Sequence, residues 1–291
     1  MLVARILQNF AVLAYRAGRG FGGAEVSRIH QTVLRWSLGA AVTTEFTVRV
    51  EEASCDVAAL LLRPPDARWL LVLAHGAGAG MRHPFLEKMA EELAAAGIAT
   101  FRYQFPYMQQ RRGRPDTPAI LTAAVRAAIS TAAEAAPDMA LLAGGKSLGG
   151  RMTSTALADA PAGSSKSAVA RVRGLVFLGF PLHPPGSPGI KRAEHLERVK
   201  VPMLFLQGTR DTFAELALLQ PLCAKLAPRA TLHLVDTADH SFHVLKRSGR
   251  SDGDAQRELA TTTAAWADAL PARSALGFGD PPRHRLPQGG E

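Results

Sequence analysis

The chain is 291 residues long, 47% apolar and 20% charged, with 26 Gly and 19 Pro. That balance belongs to a folded globular protein and excludes collagen, low-complexity disorder and a disulfide scaffold. The formal charge is +9, but 27 of the 34 basic residues are scattered Arg, and the densest cluster, Arg111-Arg112-Gly113-Arg114, lacks the interleaved aromatics on which single-strand binders stack bases, so no nucleic-acid partner is expected.

In chain order, residues 6–15 are an uncharged run of ten between Arg5 and Arg16. That is far short of the ~20 residues needed to span a bilayer, and no small-residue cleavage site follows cleanly. Residues 1–44 hold five Arg against one acid, Glu25, and are set aside as an N-terminal extension. A presequence, an amphipathic appendage and a misassigned start all fit it. Cys55 and Cys223 are too few for a disulfide framework and have no CxxC spacing, so they read as reduced thiols. The expected location is cytoplasmic, without stable membrane insertion.

From Phe46 the pattern becomes regular. Residues 46–50 and 57–62 read as a strand hairpin closed by Arg63-Pro64-Pro65. Residues 69–74 are a continuous apolar run, the mark of a strand buried on both faces. A Gly-rich turn follows, then a helix over 84–96 with Phe85, Met89 and Leu93 at helical spacing, closed by Gly97. Strands are predicted at 98–103, 139–143, 174–178, 203–206 and 230–235. Helices are predicted at 119–135, 147–158, 213–226 and 255–270. This alternation predicts an α/β fold, a mostly parallel central sheet with helices on both faces, over residues 45–271. Residues 161–167 read as a surface loop and 272–291 as a flexible tail.

In such a sheet the chemistry gathers at the carboxyl ends of the strands. Gly145-Lys146-Ser147-Leu148-Gly149-Gly150 follows one strand and opens a helix. This is G-x-S-x-G in strand–turn–helix context, in which the glycines permit a turn sharp enough to lift the serine hydroxyl out of the sheet. A P-loop would need glycine at position 140, which is Ala140; a plain helix N-cap serine is the simpler alternative. A serine hydroxyl needs a base, and His240, in the loop after the last strand, is best placed. His243 is second to it, and His233 lies within the strand. A zinc pair of His240 and His243 lacks acids at a defined metal spacing, so no metal is expected. The acid should lie between serine and histidine in chain order, which selects Asp211 just beyond the strand at 203–206; it would also suit the N-cap of the next helix. Asp236 and Asp239 stand too close to His240 to reach its far nitrogen easily. Oxyanion donors are expected from the backbone of Leu148 and from the loop His75-Gly76-Ala77-Gly78-Ala79-Gly80, with Ala77 preferred and Gly78 behind it. That loop is no dinucleotide fingerprint, because the third glycine position holds Met81 or His83.

Together His75-Gly76, Gly145 to Arg151, Gly208 to Asp211 and Asp239-His240-Ser241-Phe242 resemble the α/β-hydrolase superfamily, and within it the dienelactone-hydrolase-like branch. Phe101-Arg102-Tyr103-Gln104-Phe105-Pro106-Tyr107, followed by Pro115-Asp116, is similar to a family of small bacterial hydrolases. That family shares its domain with a subunit of a histone acetyltransferase complex. The resemblance implies hydrolysis of a carboxylic ester or related acyl bond through an acyl-enzyme, with a small-molecule acyl substrate and no cofactor. In that scheme Ser147 is nucleophile, His240 base and Asp211 its orienting acid, with Leu148 and Ala77 binding the oxyanion. The branch often carries cysteine as nucleophile, where this chain has serine. A non-catalytic assembly module, and a thioesterase or acyltransferase using the same serine, are the alternatives. Residues 179–190 are too few for a cap domain, so an open mouth is expected. The loop 105–116 should form its rim, where Arg111, Arg112 and Arg114 would favour an anionic substrate.

Overall fold

The computed structural model describes residues 41–159 and 167–271. The assignments made above to residues 1–40, 160–166 and 272–291 lie outside the described residues. Eight strands form one sheet: β1 (Val42–Val50), β2 (Cys55–Arg63), β3 (Trp69–Ala74), β4 (Ile98–Tyr103), β5 (Ala140–Lys146), β6 (Val172–Leu178), β7 (Met203–Gly208) and β8 (Ala230–Val235). Their spatial order is β1-β2-β4-β3-β5-β6-β7-β8. The hairpin β1–β2 and the β2–β4 pair are antiparallel, and every pair from β4 to β8 is parallel. Among the described residues six helices cover the sheet: α1 (Pro84–Ala95), α2 (Pro106–Gln109), α3 (Pro118–Ala135), α4 (Leu148–Ala158), α5 (Leu216–Lys225) and α6 (Asp252–Asp268).

The continuous apolar runs are explained by burial on both faces. Along β3, Leu70, Val72 and Ala74 join Phe101, Leu175, Phe177 and Phe205 beneath α3, α4 and α5. Trp69, Leu71 and Leu73 point the opposite way and pack with Leu86, Met89 and Leu93 of α1 and Leu259 of α6. Each large side chain so enclosed contributes roughly 1.5–3 kcal/mol of burial free energy. The alanines of α3, among them Ala124, Ala128 and Ala132, are buried and let that helix lie close against the sheet.

Departures from the sequence expectation occur at element ends, where side-chain hydrogen bonds decide. Helix α6 begins at Asp252 rather than 255, because Ser251 and Asp254 form a reciprocal capping box. Helix α5 begins at Leu216 rather than 213, because the Asp211 carboxylate takes the Phe213 N–H and holds 211–215 in a turn. β1 reaches back to Val42, inside the stretch assigned to the N-terminal extension, and pairs there with Arg63. Between β6 and β7 there is no inserted domain, only loop and a 3₁₀-helix, Lys191–Arg198. Among the described residues, therefore, no lid covers the sheet's carboxyl edge.

Candidate active site

The parallel strands β3, β5, β6 and β7 all end at one edge of the sheet, and β5 runs there into Ser147. Ser147 has φ 51° and ψ −115°, left-handed territory that an L-residue enters at a cost of about 1–3 kcal/mol. Its N–H donates to Leu178 O at 3.1 Å, tying the strained turn to the end of β6. The flanking glycines are dictated by β3. A Cβ on Gly145 would stand 2.5 Å from Ala74 O, and one on Gly149 would stand 2.6 Å from both Ala74 O and His75 O. Since neither carbonyl can retreat without breaking the turn, Gly149→Ala is expected to cost at least about 1–3 kcal/mol. That corresponds to a drop in Tm of roughly 5 °C or more, measurable by calorimetry.

Three side chains from different elements converge at this turn. The loop after β8 brings His240 Nε2 to 2.9 Å from Ser147 Oγ. The turn after β7 brings Asp211 Oδ2 to 2.6 Å from His240 Nδ1. The Asp211 carboxylate is fully buried, and its remaining lone pairs accept from Phe213 N–H at 2.8 Å and from the Gln207 amide at 2.5 Å. Gln207 is itself fixed, its carbonyl oxygen accepting from Phe180 N–H at 2.9 Å. An ionised carboxylate only accepts, so Nδ1 of His240 carries the ring hydrogen and Nε2 turns its lone pair toward the Ser147 hydroxyl. The Phe213 ring stacks on the imidazole, with centroids 4.3 Å apart.

The other sequence candidates fall elsewhere. Asp239 shapes the His240 loop instead of orienting the ring, its Oδ1 accepting from the N–H groups of Ser241 (2.8 Å) and His243 (3.0 Å). Asp236 lies against Thr209. His243 is exposed and paired with Asp252 at 2.8 Å, an interaction that raises its pKa, and His233 pairs with Glu258 at 2.7 Å. A second serine–histidine contact joins Ser154 Oγ to His195 Nε2 at 2.7 Å. Ser154 is buried in the middle of α4, so this bond pins α4 to the 3₁₀-helix Lys191–Arg198 rather than presenting a hydroxyl to a substrate. Burial, reinforced by Arg151 and Arg198, pushes His195 down to about 4 and keeps it neutral.

The two backbone donors expected for an oxyanion, Leu148 and Ala77, sit in α4 and in the loop after β3. Leu148 is the first residue of α4, so its N–H has no intrahelical acceptor. The loop after β3 is braced by the segment after β4 through three bonds. Phe105 N–H donates to His75 Nε2 at 3.0 Å, Gly78 N–H to Tyr107 Oη at 3.1 Å and Met81 N–H to Gln104 Oε1 at 2.7 Å. Tyr107 thus engages the Gly78 N–H, while Ala77 stands exposed between the struts, on the cavity wall. His75 is buried, its pKa driven down to about 4 by desolvation, and its Nδ1–H donates to Gly76 O at 2.8 Å. It is a strut, not a base.

Ser147 and His240 open onto a cavity of about 300 Å³, walled by Ala77, His83, Phe85, Leu86, Phe213 and Ser241. Arg111, Arg112 and Arg114 are not on its wall. Arg112 pairs with Asp116 at 2.5 Å, and Asp116 also accepts the Tyr107 N–H at 2.8 Å, so this arginine braces the loop that holds Tyr107. Arg111 and Arg114 are exposed. Sequence reasoning missed Gln207, Gln104, Tyr107 and Phe213, whose roles depend on contacts made only in the fold. It also passed over Lys146, whose Nζ donates to His240 O at 2.6 Å. Among the described residues no cluster of three or more His, Cys, Asp or Glu is arranged to hold a metal, and no helix is long and apolar enough to cross a membrane.

Residues 67–268 match the family model described as an alpha/beta hydrolase domain. The chain belongs to the alpha/beta hydrolase family. Among solved structures, it is similar to a dienelactone hydrolase from Anabaena variabilis, with 21% identity and a TM-score of 0.61 over 79% of this chain and 98% of that one. It is also similar to a serine hydrolase without a lid from Xanthomonas campestris, with 19% identity and a TM-score of 0.56 over 79% and 96% of the two chains. A cold-adapted esterase from an Arctic intertidal metagenomic library gives 19% identity and a TM-score of 0.53 over 79% and 94%. At these identities the likeness is one of fold.

Proposed function

We propose that this hydrolase cleaves a carboxylic ester or related acyl bond through an acyl-enzyme formed on Ser147. The observation that carries the reading is the unbroken chain from Asp211 to His240 to Ser147, with links of 2.6 and 2.9 Å, opening onto a cavity. His240 takes the hydroxyl proton as Ser147 Oγ bonds to the acyl carbon. The imidazolium formed is held by Asp211, and the developing oxyanion lies toward the N–H groups of Leu148 and Ala77. Return of the proton to the leaving alkoxide expels the alcohol. A water then repeats the sequence, with His240 as base, and releases the acid. The esterase and dienelactone hydrolase of similar fold support the reaction class. The cavity is small and largely apolar, which favours a short acyl group; Arg111, Arg112 and Arg114 do not line it, and the basic side chain that does, Lys146, turns its ammonium to His240 O.

The test is labelling of the folded protein by a fluorophosphonate probe together with hydrolysis of p-nitrophenyl esters of graded chain length. Labelling with highest turnover on short esters is expected; a folded protein that neither labels nor hydrolyses would sink the proposal. His240→Ala should abolish turnover, whereas His243→Ala, lacking contact with the serine, should stay within about twofold of wild type.

A further inference from the structure

We infer that Lys146 is a positioning residue for the Ser147–His240–Asp211 array, fixing the His240 loop through its main-chain carbonyl and setting a positive charge behind the Asp211–His240 pair. The inference rests on the serine-hydrolase reading and adds to it a member that makes no contact with the reacting atoms.

Lys146 is the residue between Gly145 and Ser147, at the end of β5. A lysine ammonium normally reaches solvent, because burying it unpaired is expensive. Here Nζ points inward, donates to His240 O at 2.6 Å and lies 5.6 Å from the centroid of the Phe242 ring. The space around it is kept by Gly179, which has φ +72°. A Cβ there would meet Lys146 Nζ at 3.2 Å, His240 Nδ1 at 3.4 Å and Asp211 Oδ2 at 3.5 Å, so all three atoms gather about one point. No carboxylate stands within salt-bridge distance of Nζ among the described residues. The charges facing it are Asp211 from the turn after β7 and Asp239 from the loop after β8, beside the titratable ring of His240.

Two consequences follow. First, the His240 loop bends through two non-glycine residues of positive φ, Thr237 (57°) and Phe242 (62°), and the Lys146 bond ties the carbonyl between them to β5. Since Ser147 follows Lys146 directly, nucleophile and base are referred to the same two residues of backbone. Second, the ammonium sets a positive charge beside Asp211 and the His240 ring, so its removal takes away a repulsion on the imidazolium formed in turnover. Burial pushes Lys146 itself down to about 8, with Asp211 and Asp239 pulling the other way, so the group is charged at neutral pH and loses that charge as pH rises through this value.

The experiment compares wild type with Lys146→Met, Lys146→Gln and Lys146→Arg. In Lys146→Met, kcat for a p-nitrophenyl ester should fall roughly tenfold or more with KM little changed, and the acidic limb of kcat/KM should move to higher pH by half a unit or more. Lys146→Gln, a neutral donor, should recover kcat in part without restoring the limb; Lys146→Arg should restore both in part. The limb shift is the readout that a purely structural role would not move. In parallel, the imidazole 15N titration of His240 should move to higher pH in Lys146→Met whether or not the protein turns over ester. A Lys146→Met protein with wild-type kcat, limb and imidazole titration would overturn the inference. If Lys146→Met does not fold, the same titration in Lys146→Gln decides: an unmoved midpoint overturns the inference. Wild type inert to probe and ester, with the imidazole shift present, would count against the hydrolase reading alone.

Discussion

Ser147→Ala is expected to lower hydrolysis of a short p-nitrophenyl ester by at least about a thousandfold and to abolish fluorophosphonate labelling, with Tm unchanged within a few degrees. The loss is large because, among the described residues, the hydroxyl is the group on the cavity wall that bonds to His240 Nε2. Stability should hardly move. Alanine meets the same strain at φ 51°, so the backbone cost is common to both proteins, and the half-buried hydroxyl gives up one hydrogen bond to a histidine that water can also reach. If the N–H groups of Leu148 and Ala77 hold the oxyanion as proposed, a residual rate above the uncatalysed reaction should remain. A variant that keeps a tenth of the activity or still labels would move the nucleophile elsewhere. Ser154, the other serine touching a histidine, is closed to that role by its burial in α4.

Much of this site was legible in the chain because its physics is local. The glycines around Ser147 answer to two backbone carbonyls, Ala74 at the end of β3 and His75 just after it, and that crowding recurs wherever a strand, a sharp turn and a helix follow one another, so the pattern survives in sequence. Asp211 and His240 stand after the strands where the sequence predicts them, and Asp211 Oδ2 meets His240 Nδ1; the N-cap reading of Asp211 fails, because its Oδ1 takes the Phe213 N–H in a turn and the next helix starts only at Leu216, capped at Glu215. What stayed hidden depends on partners far apart in the chain. Gln207 matters because Phe180 fixes its amide, Tyr107 because Gly78 lies beneath its hydroxyl, and Lys146 because Gly179 leaves room for its ammonium. Nothing in the composition or spacing near those residues announces them. The Arg111–Arg114 cluster shows the converse: conspicuous in sequence, it pairs Arg112 with Asp116 in the fold and stands off the cavity wall.

Asp211→Asn is expected to cost about a thousandfold or more in kcat, through the tautomer of His240 rather than through any loss of structure. All three neighbours of the carboxylate donate to it: Phe213 N–H, the Gln207 amide and His240 Nδ1–H. An asparagine of the same shape has one oxygen to offer. The Phe213 N–H is main chain and cannot turn, so that oxygen faces it, and the NH2 group is left toward Gln207 and His240. Gln207 cannot rotate to accept, because its own oxygen is held by Phe180 N–H at 2.9 Å. The imidazole must therefore present a bare Nδ1 to the asparagine and carry its hydrogen on Nε2, where it points at Ser147 Oγ and can take no proton. Asp239→Asn is the control that separates this account from a general effect of negative charge. Its Oδ1 accepts only from the main-chain N–H groups of Ser241 and His243, a duty an amide oxygen performs nearly as well, so kcat should stay within about threefold. Steady-state kinetics on both variants, with imidazole 15N shifts to report the tautomer, decide the matter. A larger loss in Asp239→Asn than in Asp211→Asn, or an Asp211→Asn protein of full activity, would reassign the acid and with it the direction in which His240 passes its proton.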